Sequence, residues 1–302
     1  MSVTVAQPGH LFCFGLGYSA SRLAACLAAR GWAVSGTSRS DEQAATGRAL
    51  DYTMYVFDGT AGGEAVWFDG VTHIVVSVPP GRDPGSAGDP VLAHFAEALA
   101  DMPTLSWLGY LSTTGVYGNT DGAWVDEAAP LNPNVARSVC RAAAEAAWQE
   151  LAAAHGLPLH IFRLAGIYGP RRNTLAQAAM GQARRIIKPG HQFSRIHVDD
   201  IATVLEASMA APNSGAIYNV CDDEPAAPAE VTTFACSLLG VDLPDEVPFE
   251  EAAETMSPMG RTFWEDNRRV CNDRIKDELG VRLAYPTYRE GLRAIYDGEF
   301  SS

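Results

Sequence analysis

The residues that most constrain this chain are "FGLGYSA", at 14–20. They follow the apolar run "HLFCF" and lead into "YSASRLAACLAARG", whose apolar positions recur at helical spacing and which stops at Gly31. A strand that runs into Gly15-Leu16-Gly17-Tyr18-Ser19-Ala20 and out into a helix carries a GxGxxA turn. The first glycine permits the tight reversal and the second lets a pyrophosphate approach the backbone. The third position needs only a small residue, so that helix and strand can pack closely. The amides that open the helix then favour an anion. The same pattern also serves glycine turns that only pack a helix onto a sheet, so the surrounding chain has to decide.

The surroundings alternate strand and helix. "WAVSGTSR" (32–39), "TMYVFDG" (53–59) and "VTHIVVSVPPG" (71–81) read as the second, third and fourth strands. "DPVLAHFAEALAD" reads as a helix, "LSWLGYLSTTGVYG" as a fifth strand, and an alanine-rich helix runs from about Pro133 to His155. "LHIFRLAGIYG" is a sixth strand, and "AIYNVCDD" (216–223) is the one later stretch with the look of a core strand. Near-continuous apolar strands separated by long helices predict an α/β fold, a doubly wound parallel sheet of Rossmann type covered on both faces. After Gly169 prolines and charges become frequent and the elements shorten. The expected organisation is a Rossmann domain at 8–168, with about 195–223 contributing to it, and a smaller interleaved lobe at 169–194 and 224–302.

The end of the second strand bears on the choice of dinucleotide. A site that prefers NAD usually places a carboxylate about 20 residues after the glycines, on the ribose 2′-hydroxyl. Here the region reads "SGTSRS", with no acid before Asp41. Arg39, with the hydroxyls of Thr37 and Ser38, suits a 2′-phosphate, so NADP is favoured over NAD; the alternative is that Arg39 is a surface charge. Asp58, ending the third strand, is placed to accept from an adenine amino group, and Val78 and Pro79 in "SVPPG" bring backbone against the adenosine side.

Four strings, "YLSTTGVYG" (110–118), "FRLAGIYGP" (162–170), "SRIHVDDIA" (194–202) and "IYNVCDDEP" (217–225), stand in this order and spacing. Together they resemble the extended short-chain dehydrogenase/reductases, the NAD(P)-dependent epimerase/dehydratase family, and within it the atypical YeeZ-like branch. The resemblance covers nearly the whole chain, through "RRVCNDRIKDELGV". It implies NAD(P) binding and a small-molecule substrate, anionic or like a nucleotide sugar, in an oxidoreductase or epimerase reaction. It also implies a homodimer that pairs through the helices after the fourth and fifth strands. On it, Thr113 takes the place of the hydroxyl that polarises the substrate oxygen, with Ser112 and Thr114 as neighbours able to substitute. His197, Asp199 and Asp200 fall on a segment that packs and anchors the next helix.

The sequence departs from the family where the chemistry would be. The usual glycine pattern would begin at Phe14, so the turn is closer to the plain Rossmann form. Counting back from Glu145, which matches the acidic residue after the family's lysine, puts Arg137 in the place of the tyrosine and Arg141 in that of the lysine. The only lysines are Lys188 and Lys276, and neither has a tyrosine four residues before it. A guanidinium stays protonated, so Arg137 cannot shuttle a proton, but its planar fork of donors suits a carboxylate or phosphate. Arg141, one turn later, either reaches cofactor ribose and phosphate or pairs with Glu145 at i+4. Tyr117 and Tyr168, at the ends of strands, are the candidate phenols to stand in as the acid, with a structural role as the alternative. Arg195, with Arg171 and Arg172, is placed to meet an anionic substrate or else lies on a solvated face.

The formal charge of −14, with 22 basic residues in 302, argues against nucleic acid as a partner. Six scattered cysteines without a CxxC pair suit free thiols rather than a metal site or disulfides. The N-terminus lacks the pattern of a signal peptide and no apolar run is long enough to span a membrane, so a cytoplasmic protein is expected. Two functional readings stay open. One is an NAD(P)-dependent oxidoreductase or epimerase with an unidentified base; the other is an NADP-binding sensor or partner-binding module that no longer turns over.

Overall fold

The computed structural model describes residues 8–81 and 88–301. The first seven residues, on which the reading of the N-terminus partly rests, lie outside it. Seven strands, β1 (His10–Phe14), β2 (Ala33–Ser38), β3 (Thr53–Val56), β4 (His73–Val76), β5 (Trp107–Thr113), β6 (Leu159–Leu164) and β7 (Ile217–Val220), form one sheet. Its order is β7-β6-β5-β4-β1-β2-β3 and every pairing is parallel. The order reverses between β1 and β4, and such a switch point opens a crevice beyond the carboxyl ends of the strands.

Both faces of the sheet are covered, which is why its strands read as unbroken apolar runs rather than alternating ones. Within β1, Leu11 and Cys13 join a cluster with Leu23 and Leu27 of helix α1 (Tyr18–Ala28) and with Ile201 and Leu205 of the helix Val198–Ala210. Phe12 and Phe14 point the other way, among Phe57, Phe68 and Phe95. Their rings sit 4.9–6.3 Å apart, in the tilted and edge-on geometries that aromatic pairs prefer. Each buried phenylalanine contributes about 1.5–3 kcal/mol by transfer from water, so this cluster is a main anchor of the second face.

Helix α2 (Asp41–Arg48), capped by Ser40, connects β2 to β3, a short helix not anticipated from the sequence. Helix α3 (Pro90–Ala100) is capped by Asp89, which also accepts from the Trp148 indole at 3.2 Å and so ties α3 to helix α4 (Ala136–His155). The alanine-rich helix therefore begins three residues later than expected; Gly156, with φ +67°, ends it in the left-handed conformation. Beyond β6 the chain makes short strands and helices, and a third apolar cluster gathers Tyr168, Leu175, Val231, Tyr288 and Leu292. No described helix is long and apolar enough to cross a membrane.

Candidate functional site

Two cavities open along the carboxyl edge of the sheet. The first, about 510 Å³, lies over β1, β2 and β4 and is lined by Gly15, Gly17, Ser38, Arg39, Asp58, Val78 and Pro79, with Gln43 and His94. Its floor is the glycine turn. Gly15 has φ +82°, and a β-carbon there would meet the Val78 side chain at 3.1 Å, so only glycine fits. The Gly15 amide donates to Thr37 Oγ1 at 2.9 Å and the Leu16 amide to the Thr37 carbonyl at 2.8 Å. The Thr37 hydroxyl thus braces the turn, and Thr37 lines this cavity beside Ser38 and Arg39. Gly17 is the N-cap of α1, with no side-chain cap, and a β-carbon there would find nothing nearer than Ser77 Oγ at 4.0 Å. The space beside Gly17 at the start of α1 is therefore open, as an anion at a helix start requires.

Arg39 is exposed and makes no ion pair or hydrogen bond with any described residue. Asp58 accepts from the Thr60 amide and hydroxyl at 2.9 and 2.7 Å, and these bonds hold its carboxyl below the usual range. Tyr18, Ser19 and Ala20 line neither cavity. Ser19 and Ala20 are buried in the first turn of α1, and the Tyr18 hydroxyl donates to the Pro170 carbonyl at 2.9 Å with Arg172 over its ring. The Tyr18 side chain is a tie between α1 and the loop after Gly169 rather than a cofactor contact, because its phenol points across the crevice mouth to that loop.

The second cavity, about 680 Å³, lies beyond β5 and β6. Thr113, Thr114, Arg137, Ser138, Arg141, Tyr168 and Arg195 line it, together with Phe263, Asp266 and Arg268. Thr113 ends β5 and caps a single 3-10 turn, its Oγ1 accepting from the Gly115 amide at 3.1 Å; the hydroxyl proton is left to donate elsewhere.

Four guanidiniums share this space with one carboxylate, Asp266, which Arg268 engages at 2.9 Å. Arg141 donates to the Leu111 carbonyl at 2.6 Å, and the alternative pairing with Glu145 is not formed. Glu145 instead lies buried against the sheet, bound by Arg163 at 2.8 Å and by the Ser112 hydroxyl. That contact turns Ser112 away from the cavity and removes it as a substitute for Thr113. Arg195 donates to the Phe193 and Ala226 carbonyls at 2.8 and 2.9 Å. Arg137 makes no hydrogen bond or ion pair with any described residue; its guanidinium lies 4.0 Å over the Phe263 ring, and burial lowers its pKa.

Neither expected phenol is placed to move a proton. Tyr117 lines neither cavity: it is buried, accepts from Arg163 at 2.9 Å and donates to Asn219 at 2.7 Å, with its pKa raised by burial. Tyr168 borders the second cavity, but its hydroxyl packs on the helix Tyr288–Glu299. A β-carbon at Gly291 would lie 2.1 Å from that oxygen, and burial raises the phenol's pKa further. Lys188 binds the Trp264 carbonyl and Lys276 pairs with Asp223 at 2.8 Å, so neither lysine lines either cavity. His197 is buried, accepts from the Asp199 amide at 3.2 Å and has its pKa pulled down to about 4 by burial. Asp200 holds the Ala284 and Tyr285 amides at 2.7 and 3.0 Å.

Sequence reasoning missed Ser138, Phe263, Asp266, Arg268 and the Arg163–Glu145 pair. A charged residue inside the apolar strand "LHIFRL" was the available signal for Arg163. Phe263, Asp266 and Arg268 carry no motif, and only the fold brings them to α4. The second cavity can orient an oxygen and hold an anion, but among the described residues no histidine, cysteine or lysine lines it.

A model of the NAD dependent epimerase/dehydratase family matches residues 88–221. Protein YeeZ of Escherichia coli K12 is 27% identical over 288 residues, covering 90% of this chain and 94% of that protein. A solved structure of a functionally unknown conserved protein from Silicibacter pomeroyi is 50% identical with a TM-score of 0.88, covering 96% of this chain and 99% of that one. The UDP-glucuronic acid 4-epimerase of Bacillus cereus, solved with UDP-glucuronic acid and NAD, superposes with a TM-score of 0.75 at 17% identity, over 95% of this chain and 98% of that one. At that identity the likeness is one of fold.

Proposed function

We propose, from the match of residues 88–221 to the NAD dependent epimerase/dehydratase family, an NADP-dependent oxidoreductase or epimerase-type enzyme acting on a small anionic substrate. The observation that carries this reading is the pairing, along one sheet edge, of an uncapped helix start above Gly17 with a cavity that holds the Thr113 hydroxyl and four guanidiniums.

The residues fit a dinucleotide laid across the switch point. The amides after Gly15 and Gly17, through Ser19 and Ala20, would hold the pyrophosphate, and Ser38 and Arg39 the 2′-phosphate. Asp58, Val78 and Pro79 would border the adenine, and Arg141 would reach the ribose nearest the reaction. The solved NAD complex of the Bacillus cereus epimerase supports this pose at the level of fold. The smaller lobe, 169–194 and 224–302, would close over the substrate.

Bound there, the dinucleotide would supply a hydride in its reduced form or accept one in its oxidised form. This chain's own part is electrostatic. Thr113 donates to the substrate oxygen, with Thr114 beside it, while Arg137 and Arg195 hold the substrate's charge and stabilise the negative charge that develops. Proton exchange falls to solvent, because Arg137 cannot titrate and the Tyr117 and Tyr168 hydroxyls face away.

The second reading, NADP binding without turnover, is favoured by that same lack of an acid. NADPH oxidation across a panel of carbonyl compounds and nucleotide sugars separates the two. Turnover that Thr113→Ala reduces about a hundredfold or more supports the enzyme. Tight NADPH binding with no turnover on any member of the panel supports the sensor.

A further inference from the structure

Helix α4 starts without the usual devices. Its N-cap is Val135, which provides no side-chain bond, and its first turn holds no acidic residue but does hold Arg137. The positive end of a 20-residue helix is a poor place for an unpaired cation. By contrast, Asp89 caps α3 and a full capping box opens the helix Tyr288–Glu299.

A second observation stands at the same place. Ser138 is only 3% exposed and lines the second cavity; its amide donates to the Val135 carbonyl at 2.8 Å, while its hydroxyl bonds no described residue. With no protein partner, this hydroxyl takes its bond from whatever fills the cavity, whether water or a ligand. Ser138 Oγ lies 2.7 Å, and Thr113 Oγ1 3.4 Å, from the point a Gly115 β-carbon would occupy. The two hydroxyls therefore flank one small space that glycine keeps open. Arg141, Arg195 and Arg268 each already donate to a backbone carbonyl, so only Arg137, laid on Phe263, offers an unengaged fork.

We propose that the start of α4 is a carboxylate seat and that the substrate is a short oxo acid. Its carboxylate is held by the Arg137 side chain, Ser138 Oγ and the Ala136 and Arg137 amides at the start of α4, while its carbonyl oxygen, one or two carbons away, rests on Thr113. One free planar fork matches the two oxygens of one carboxylate, and the close approach of the two hydroxyls sets the short spacing. The proposal rests on the reading of this cavity as the substrate site of an NADP-dependent enzyme.

The test is calorimetric titration of the NADP-saturated protein with 2-oxobutanoate, 3-oxobutanoate and their methyl esters, with inorganic phosphate as a further probe. One of the acids is expected to bind at least about tenfold more tightly than its ester. Arg137→Gln should weaken the acid by roughly tenfold and Ser138→Ala by about threefold, with ester binding, NADP affinity and melting temperature unchanged. Acid and ester binding alike, neither acid binding, phosphate binding as tightly as the acid, or an Arg137→Gln protein that keeps full acid affinity would each overturn it. Failure of the wild-type protein to bind NADP is scored separately, since it contradicts the cofactor reading and not the carboxylate seat.

Discussion

At the glycine turn the cavity is shaped by backbone: Gly15 fits because a side chain would strike Val78, and Gly17 leaves the opening of α1 bare. At the start of α4 the other cavity is shaped by side chains, with Arg137 on Phe263, Arg141 on the Leu111 carbonyl and Arg268 on Asp266. A pyrophosphate seat made of amides depends on a few small residues, so it shows in the sequence as a short motif. A reaction centre made of side chains can be exchanged residue by residue on the same backbone. The two ends also treat acid differently: Asp58 is exposed and held ionised by Thr60, whereas Asp222 is buried beneath Arg195 and burial raises its pKa to about 8.

The comparison breaks most visibly at the ion pair under α4. Glu145→Ala or Arg163→Ala leaves a buried charge alone and should cost about 3–5 kcal/mol in denaturant unfolding, whereas replacing both by apolar residues of similar size should cost far less. A small effect of the single changes would show that α4 is not held to the sheet by this pair. Next, Gly17→Val has room for its side chain but fills the space a pyrophosphate needs. It should weaken NADP by about a hundredfold or more in a fluorescence titration while the melting temperature barely moves. Arg39→Gln should weaken NADP by roughly tenfold and leave NAD unchanged; equal losses for both would assign Arg39 another role.

The most gradual effect concerns pH. Asp222 Oδ2 has no partner, as suits a neutral carboxyl. The folded state keeps its proton up to about pH 8, while the unfolded chain gives it up near the ordinary carboxylate value of 3.8. The native state therefore binds more protons between these values, and stability from this group falls as pH rises through that window. Asp222→Asn should gain on wild type by on the order of 1 kcal/mol per pH unit between pH 5 and pH 8. A constant difference across that range would mean that Asp222 is ionised in the fold.

Much of the frame was legible in the residues, because strands buried on both faces leave continuous apolar runs and Gly31 and Gly156 end helices where they stand. The turn at Gly15 was legible for the same local reason. The arginine end was not. Arg141 and Glu145 stand at the spacing of a helical ion pair, yet Glu145 faces the sheet and Arg163, on a strand 18 residues later, takes it. Tyr117 sits at a strand end where ligands gather, but Asn219, 102 residues away, claims its hydroxyl. Val135 and Arg137 gave no helix-start signal, so α4 was drawn three residues too long, across the very start now assigned to the carboxylate.

The central claim is that a retained dinucleotide seat serves hydride transfer in a cavity whose chemistry is electrostatic. It is tested most directly by incubating the protein with NADPH deuterated at the nicotinamide C4 and the short oxo acids, and reading the products by mass spectrometry. The account predicts deuterium on the carbinol carbon of the hydroxy acid, lost in the Thr113→Ala protein. NADPH that binds tightly while no deuterium reaches any of these acids would contradict it.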